Sequence, residues 1–438
     1  MATNKRKNNQ ITKKTASSSG TGHNDKRQRT RSATITVSVK QEPEEEGAKK
    51  KEHDNDNVST QPVTVSPNNN PKNDDDDDNA RLPTRRELSK ELCRIVDLDT
   101  YSWEQALATL KKLSKWLKQQ DLDFLKSFHL FGGGVKVLDF LTSSIDDVNC
   151  KGKIRSRCIG WAASVISSAV FCVEDNHGNT EDTVTKIHAS IVDYDGINTL
   201  INASEEYIGG DDFYQLYALW NIWGALRNIS ALDSDKKEIS KEQAIAVFET
   251  GIDVMFDLKT VDTSWENCPS GGRPKNLKKR GLPSNCVLEH VFCTLNSLVH
   301  QGYLTTEYCI QNKTIVGKCL DVFKKNEGTW IDRGEAVTKW ATSMFICCYN
   351  KRLLCDSDYE ILLPFYAYAL KQHAANKDIR NHAIGFFSRS CAAVHDKNII
   401  KQSGVMELLA VVLGSNEIDN DNKKKVGVLI GKISALVL

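Results

Sequence analysis

Ala218 to Leu232 reads ALWNIWGALRNISAL, and the reading of this stretch decides the fold. Leu219, Ile222, Leu226 and Ile229 recur at helical spacing, which predicts one amphipathic helix with an apolar core stripe. At about 100° per residue, Trp220, Asn221 and Asn228 lie roughly 140° or more from that stripe, with Arg227 on its flank. A large aromatic beside amides, away from the core, is the composition expected of a binding surface.

The same grammar recurs on both sides. Gly134-Val135-Lys136-Val137-Leu138 precedes a helix around Ile159 to Phe171, and Gly196-Ile197-Asn198-Thr199-Leu200 precedes the stretch above. Gly251-Ile252-Asp253-Val254-Met255 precedes Val287 to Val299. Ile315 to Phe323 precedes Ala336 to Tyr349, and Tyr359 to Leu370 precedes Ile379 to Val394. Gly404-Val405-Met406-Glu407-Leu408 precedes Val426 to Leu438. Six units each read as short helix, helix, polar loop and long helix, with glycine allowing a sharp turn before the second helix. The last two units are separated by the ~40–47 residues of an armadillo or HEAT repeat, and the longer spacings require loop insertions.

Leu226-Arg227-Asn228-Ile229-Ser230 and the Gly-Val or Gly-Ile openings resemble the armadillo family over residues 126–438. Only the second unit carries the full ending. The resemblance implies an all-α, armadillo-like, right-handed α-solenoid of about six helical repeats. Each unit would bury its apolar face against its neighbours alone. Residues 85–125 are expected to form N-terminal capping helices. There Ser102 to Gln105 fits a capping box, and Leu107, Leu110, Leu113 and Leu117 share one face. A basic loop, 259–285, interrupts the third unit, and a polar insert lies near Glu174 to Asp182.

The 438 residues carry a net charge of +1, so no global field points to nucleic acid or anionic membrane. Locally the balance is uneven. Residues 1–84 lack aromatics and turn from basic to acidic through Glu44 to Glu46 and Asp74 to Asp78, which predicts a disordered tail. Lys5, Arg6, Lys7 and Lys26, Arg27, Arg29, Arg31 resemble the two clusters of a nuclear localisation signal. Val39-Lys40-Gln41-Glu42 with its acidic flank resembles a SUMO attachment site at Lys40. The start lacks the apolar core of a secretory signal, and no apolar run approaches ~18 residues, so no membrane span is expected. Thirteen cysteines without a CxxC pair fit reduced thiols in nucleus or cytoplasm.

Importin-α-type armadillo proteins place Trp and Asn one turn apart on third helices, which implies capture of extended basic peptides. Here Trp223 precedes Asn228 by five residues, out of that register. Trp161, Trp220 and Trp340 occupy similar places in their helices, with His290 and His382 in the corresponding slots of other units. Trp161 stands opposite its own core stripe, whereas Trp340 falls about 60° from its stripe and belongs to the core.

Cys286, His290, Cys293 and His300 share a helical face, but Cys286 and Cys293 would be ~10 Å apart along the axis, too far for one zinc ion. Gly132-Gly133-Gly134 lacks the lysine and the strand of a phosphate loop. No constellation has catalytic spacing, and no cofactor is implied.

The expectation is therefore a non-enzymatic protein-binding scaffold or adaptor that captures an extended partner segment on a concave surface. Trp161, Trp220, Asn221, Trp223, Arg227 and Asn228 would line it. Trp220 would supply apolar area, Asn221 and Asn228 hydrogen bonds to the partner backbone, and Arg227 charge. The alternative is a nucleic-acid or chromatin-associated helical repeat that uses the basic tail and Arg273, Lys275, Lys278, Lys279 and Arg280 of the loop.

Overall fold

Capping chemistry sets the starts of many helices. The computed structural model describes residues 81–438 apart from 99, 148–151, 172–178, 211, 232–237, 259–282, 307, 309–316, 320–333, 394–396, 415–417 and 438. Among the described residues every regular element is a helix. Thr84 and Glu87 form a capping box ahead of α1 (Arg85–Val96). Ser102 and Gln105 do the same for α2 (Trp103–Leu117), as the sequence predicts. Leu107, Leu110, Leu113 and Leu117 of α2 are all buried. Such boxes satisfy amide donors that a helix start leaves unpaired.

The first full unit comprises α3 (Leu122–Leu130), α4 (Gly133–Asp146) and α5 (Gly152–Val170). The next comprises α6 (Asn179–Asp193), α7 (Gly196–Glu205) and α8 (Phe213–Ser230). Beyond them come α9 (Lys241–Asp257), α10 (Pro283–Gln301) and α11 (Glu335–Asn350). α12 (Asp356–Gln372) and α13 (Lys377–Ala393) follow. The last are α14 (Lys397–Gln402), α15 (Val405–Gly414) and α16 (Asn420–Val437).

Packing links the helices in rows. α2, α5, α8, α10, α11, α13 and α16 form a series in which each helix touches its successor. A second series links α1, α4, α7 and α9, and α12 packs on α15. Helices α1 and α2 join these rows directly, through α4 and α5. The described residues all fall within one compact unit.

Gly404 (φ 64°) makes the turn before α15 as expected, but the other turns differ in a physical way. The left-handed residue before α4 is Gly132 (φ 65°), not Gly134. Before α7 it is Asp195 (φ 59°), not Gly196. Gly196 serves close packing instead, because a Cβ there would stand 2.7 Å from the Ile191 carbonyl oxygen. Gly251 makes no turn at all. It lies inside the continuous helix α9, where a Cβ would meet Leu295 and Trp223 at 3.0 Å. The third unit thus has one long helix where a short helix and a second helix were expected. Most of the segment Ile315 to Phe323 lies outside the described residues.

Two contacts show how the rows are joined. Gly160 of α5 brings that helix against α8, and a Cβ there would stand 2.9 Å from Tyr217 Cδ1. Farther along, Tyr366 of α12 stacks on Phe386 of α13 at 4.2 Å between centroids. Its hydroxyl donates to the Thr342 carbonyl of α11 at 2.6 Å, so one buried side chain ties three helices.

Candidate partner-binding surface

α8 begins at a capping box formed by Asp212 and Gln215. The predicted stripe Leu219, Ile222, Leu226 and Ile229 is buried throughout. This fixes which side of the helix is left to face outward.

On that other side, Trp220 is half-buried. Its ring lies 6.0 Å from Tyr217 and 6.2 Å from His290 of α10. His290 Nδ1 donates to the Trp220 carbonyl at 3.1 Å. Asn221 is half-buried, and its Nδ2 donates to the Tyr217 carbonyl of its own helix at 2.8 Å. Asn228 Nδ2 donates to both the carbonyl and the hydroxyl of Ser167 on α5, each at 3.0 Å. Arg227 is half-buried, and its charge acts on the Cys293 thiol of α10. Burial pushes that thiol up, against the pull of Arg227, so it stays protonated at neutral pH.

Trp223 does not join this face. It is wholly buried, and its Nε1 donates to Ser204 Oγ at 3.1 Å. The reason is angular: Trp223 stands four residues after Leu219 and three before Leu226, within the core stripe. Trp161 is also withdrawn from a groove, at 8 % exposure. It faces away from its own stripe as expected. Tyr217 of α8 lies 6.0 Å from it, and Lys111 of α2 holds its Nζ 5.9 Å from the ring centroid. A side chain opposite one core becomes interior when helices pack on both flanks. Trp340, expected in the core, is half-buried instead, with Lys339 Nζ 5.6 Å from its ring centroid.

Arg227 and Asn228 converge with residues that the sequence did not single out. Together with Lys118, Gln120, Ser167 and Phe171 they line a cleft of about 330 Å³, with Gly224 and His290 on its far wall. Gly224 permits the close approach of α10, since a Cβ there would lie 3.1 Å from His290 Nδ1. Phe171 sits one residue beyond the end of α5 and is 48 % exposed. Gln120 has left-handed backbone (φ 52°) and sends Nε2 to the Ser168 carbonyl at 3.1 Å.

A second regularity runs along the long row. Side-chain amides reach from one member of the long row to the terminal carbonyls of another. Gln120 follows α2 and takes Ser168, Asn228 of α8 takes Ser167, and Gln301 of α10 takes Ser230 at 2.6 Å. The two histidines in equivalent slots do related work. His290 bridges to α8, and His382 Nδ1 lies 3.0 Å from Thr342 Oγ1 of α11. Burial holds His382 below its ordinary pKa, outweighing the pull of Asp378.

Cys286 and Cys293 are buried free thiols. Among the described residues no group of three His, Cys, Asp or Glu side chains could hold a metal ion. Nor is any described helix long and apolar enough to cross a membrane. The basic-loop residues Arg273 to Arg280, the clusters at Lys5 to Lys7 and Lys26 to Arg31, and Lys40 lie outside the described residues. The chain matches no family model, and no curated protein matches it.

Proposed function

We propose that the chain is an armadillo-like α-solenoid that acts as a protein-binding scaffold, capturing an extended partner segment along the row α2, α5, α8, α10, α11, α13 and α16. The observation that carries this reading is the continuity of that row, each helix packed on the next. Helices stacked by nearest-neighbour contact offer a long surface on which an extended segment can make many small contacts. In the first half of the row stands a cleft with aromatic, amide and cationic groups, the mixture that interfaces favour. Trp220, Arg227 and Asn228 remain the contact residues of the original expectation, now joined by Gln120 and Phe171. A non-enzymatic role in nucleus or cytoplasm goes with this reading.

Affinity capture from native extract with the full chain tests it. Partners held by the wild type are expected to be lost by a Trp220→Ala, Asn228→Ala variant whose circular dichroism is native. Retention of every partner by that folded variant excludes the row as the capture surface.

A further inference from the structure

We infer that the cleft at the ends of α5 and α8 receives an acidic segment of a partner protein, with a carboxylate on Arg227 and a neighbouring apolar side chain over Phe171. This deepens the scaffold reading and rests on it.

Several cations in this molecule are matched to acids. Arg94 and Lys112 both reach Glu91, at 2.8 and 3.2 Å. Arg155 reaches Glu206 at 3.2 Å, Lys339 reaches Asp378 at 2.6 Å, and Arg380 reaches Asp419 at 3.5 Å. Arg227 differs from these. It is half-buried and lines the cleft, with no ion pair within 4.0 Å among the described residues. Glu289, which also acts on Cys293, forms no ion pair with it. A guanidinium partly withdrawn from water and outside such an ion pair retains its capacity for a carboxylate.

Several groups of the lining favour the same sign, against the buried acceptor Gln120 Oε1. The C-terminal end of a helix ordinarily presents negative carbonyls, which would repel an acid from the end of α5. Here Asn228 takes the Ser167 carbonyl and Gln120 takes the Ser168 carbonyl. Lys118 adds a second positive charge to the lining. A volume of about 330 Å³ sits at the small end for ligand sites, suited to one or two side chains of a longer segment. Phe171, half exposed at the rim, offers apolar area to the residue beside the acid.

An array of random-sequence 15-residue peptides, probed with the full chain, tests the inference. Peptides retained by the wild type are expected to be enriched in Asp or Glu next to Leu, Ile or Phe. In fluorescence anisotropy with those peptides, Arg227→Glu should weaken binding by on the order of tenfold or more. Arg227→Lys should keep part of the affinity, and added salt should lower it. Phe171→Ser, at an exposed site, should weaken binding severalfold without touching the fold, so it decides the matter if Arg227→Glu unfolds. Retained peptides without acidic enrichment, or binding unchanged in Phe171→Ser and in folded Arg227→Glu, overturn the inference and leave the scaffold reading standing. An array on which no peptide binds overturns both.

Discussion

Asn228 on α8 and Ser167 on α5, sixty-one positions apart in sequence, are joined by two hydrogen bonds from a single amide nitrogen. The donor expected to hold a partner backbone is therefore already engaged in closing the end of a neighbouring helix. What it leaves to a partner is a cleft with less negative carbonyl surface.

Asn228→Ala should destabilise the protein by about 1–2 kcal/mol, because it leaves a partly buried carbonyl without its donor. Asn228→Asp should be worse, since it sets a carboxylate against that carbonyl. Urea midpoints at constant slope would measure both, and a midpoint unchanged in Asn228→Ala would show that the bond contributes nothing.

Gly160→Ala and Gly427→Ala should have opposite signs. At Gly160 a Cβ would stand 2.9 Å from Tyr217 and 3.2 Å from the Ala218 Cα, so α5 and α8 must part, at about 1–3 kcal/mol. At Gly427 in α16 a Cβ would meet nothing within 4 Å, and alanine should stabilise the helix by about 0.5–1 kcal/mol. Thermal melts of the two variants would reveal the contrast.

Trp223→Ala should be among the most disruptive single changes on α8, costing about 3–5 kcal/mol through lost burial and cavity formation. It also strips Ser204 of its indole partner. Trp220→Ala, at a half-buried position, should cost distinctly less. Equal losses in chemical denaturation would contradict the assignment of Trp223 to the core and Trp220 to the surface.

Glu91 makes stability fall in acid. Burial alone would raise its carboxyl, but the Thr109 hydroxyl at 2.7 Å, with Lys112 and Arg94, outweighs this and holds it below the ordinary 4.5. With the folded value depressed, its stabilisation is complete above the unfolded value. It is lost as pH falls from about 4.5 through the folded value. Asp378 and Asp419 are shifted the same way. Glu91→Gln should therefore be less stable at pH 7 and lose less between pH 5 and 3, without becoming flat. An acid limb as steep as the wild type's would refute the assignment.

Much of the helical architecture was legible because it is written in local chemistry. The stripe of α8, the capping box of α2 and the succession of paired helices follow from spacing and residue type within a dozen positions. The position of Trp223 was legible too, from its distance to Leu219 and Leu226, but the company of Trp220 and Asn221 drew it to the wrong side. Trp161 is another matter. Helical angle says which way a side chain leaves its axis, not whether another helix waits there, and the cover comes from Lys111 and Tyr217, some fifty residues away on either side. The cleft escaped notice for the same reason. Gln120, Ser167 and Asn228 meet only through the register of three helices, which no single stretch of sequence encodes.

The situation of α5 has a further consequence. It touches α2, α4, α6 and α8, and small residues such as Gly160, Ala162, Ala163 and Ala169 let these neighbours come close. A helix held on four sides cannot fray alone, so admitting deuterium to its amides means separating several neighbours at once. Exchange should therefore be slowest there and quicken toward α16, where Val428 stands 54 % exposed. A protein arranged in this way would keep a persistent centre while its far end opens and closes many times.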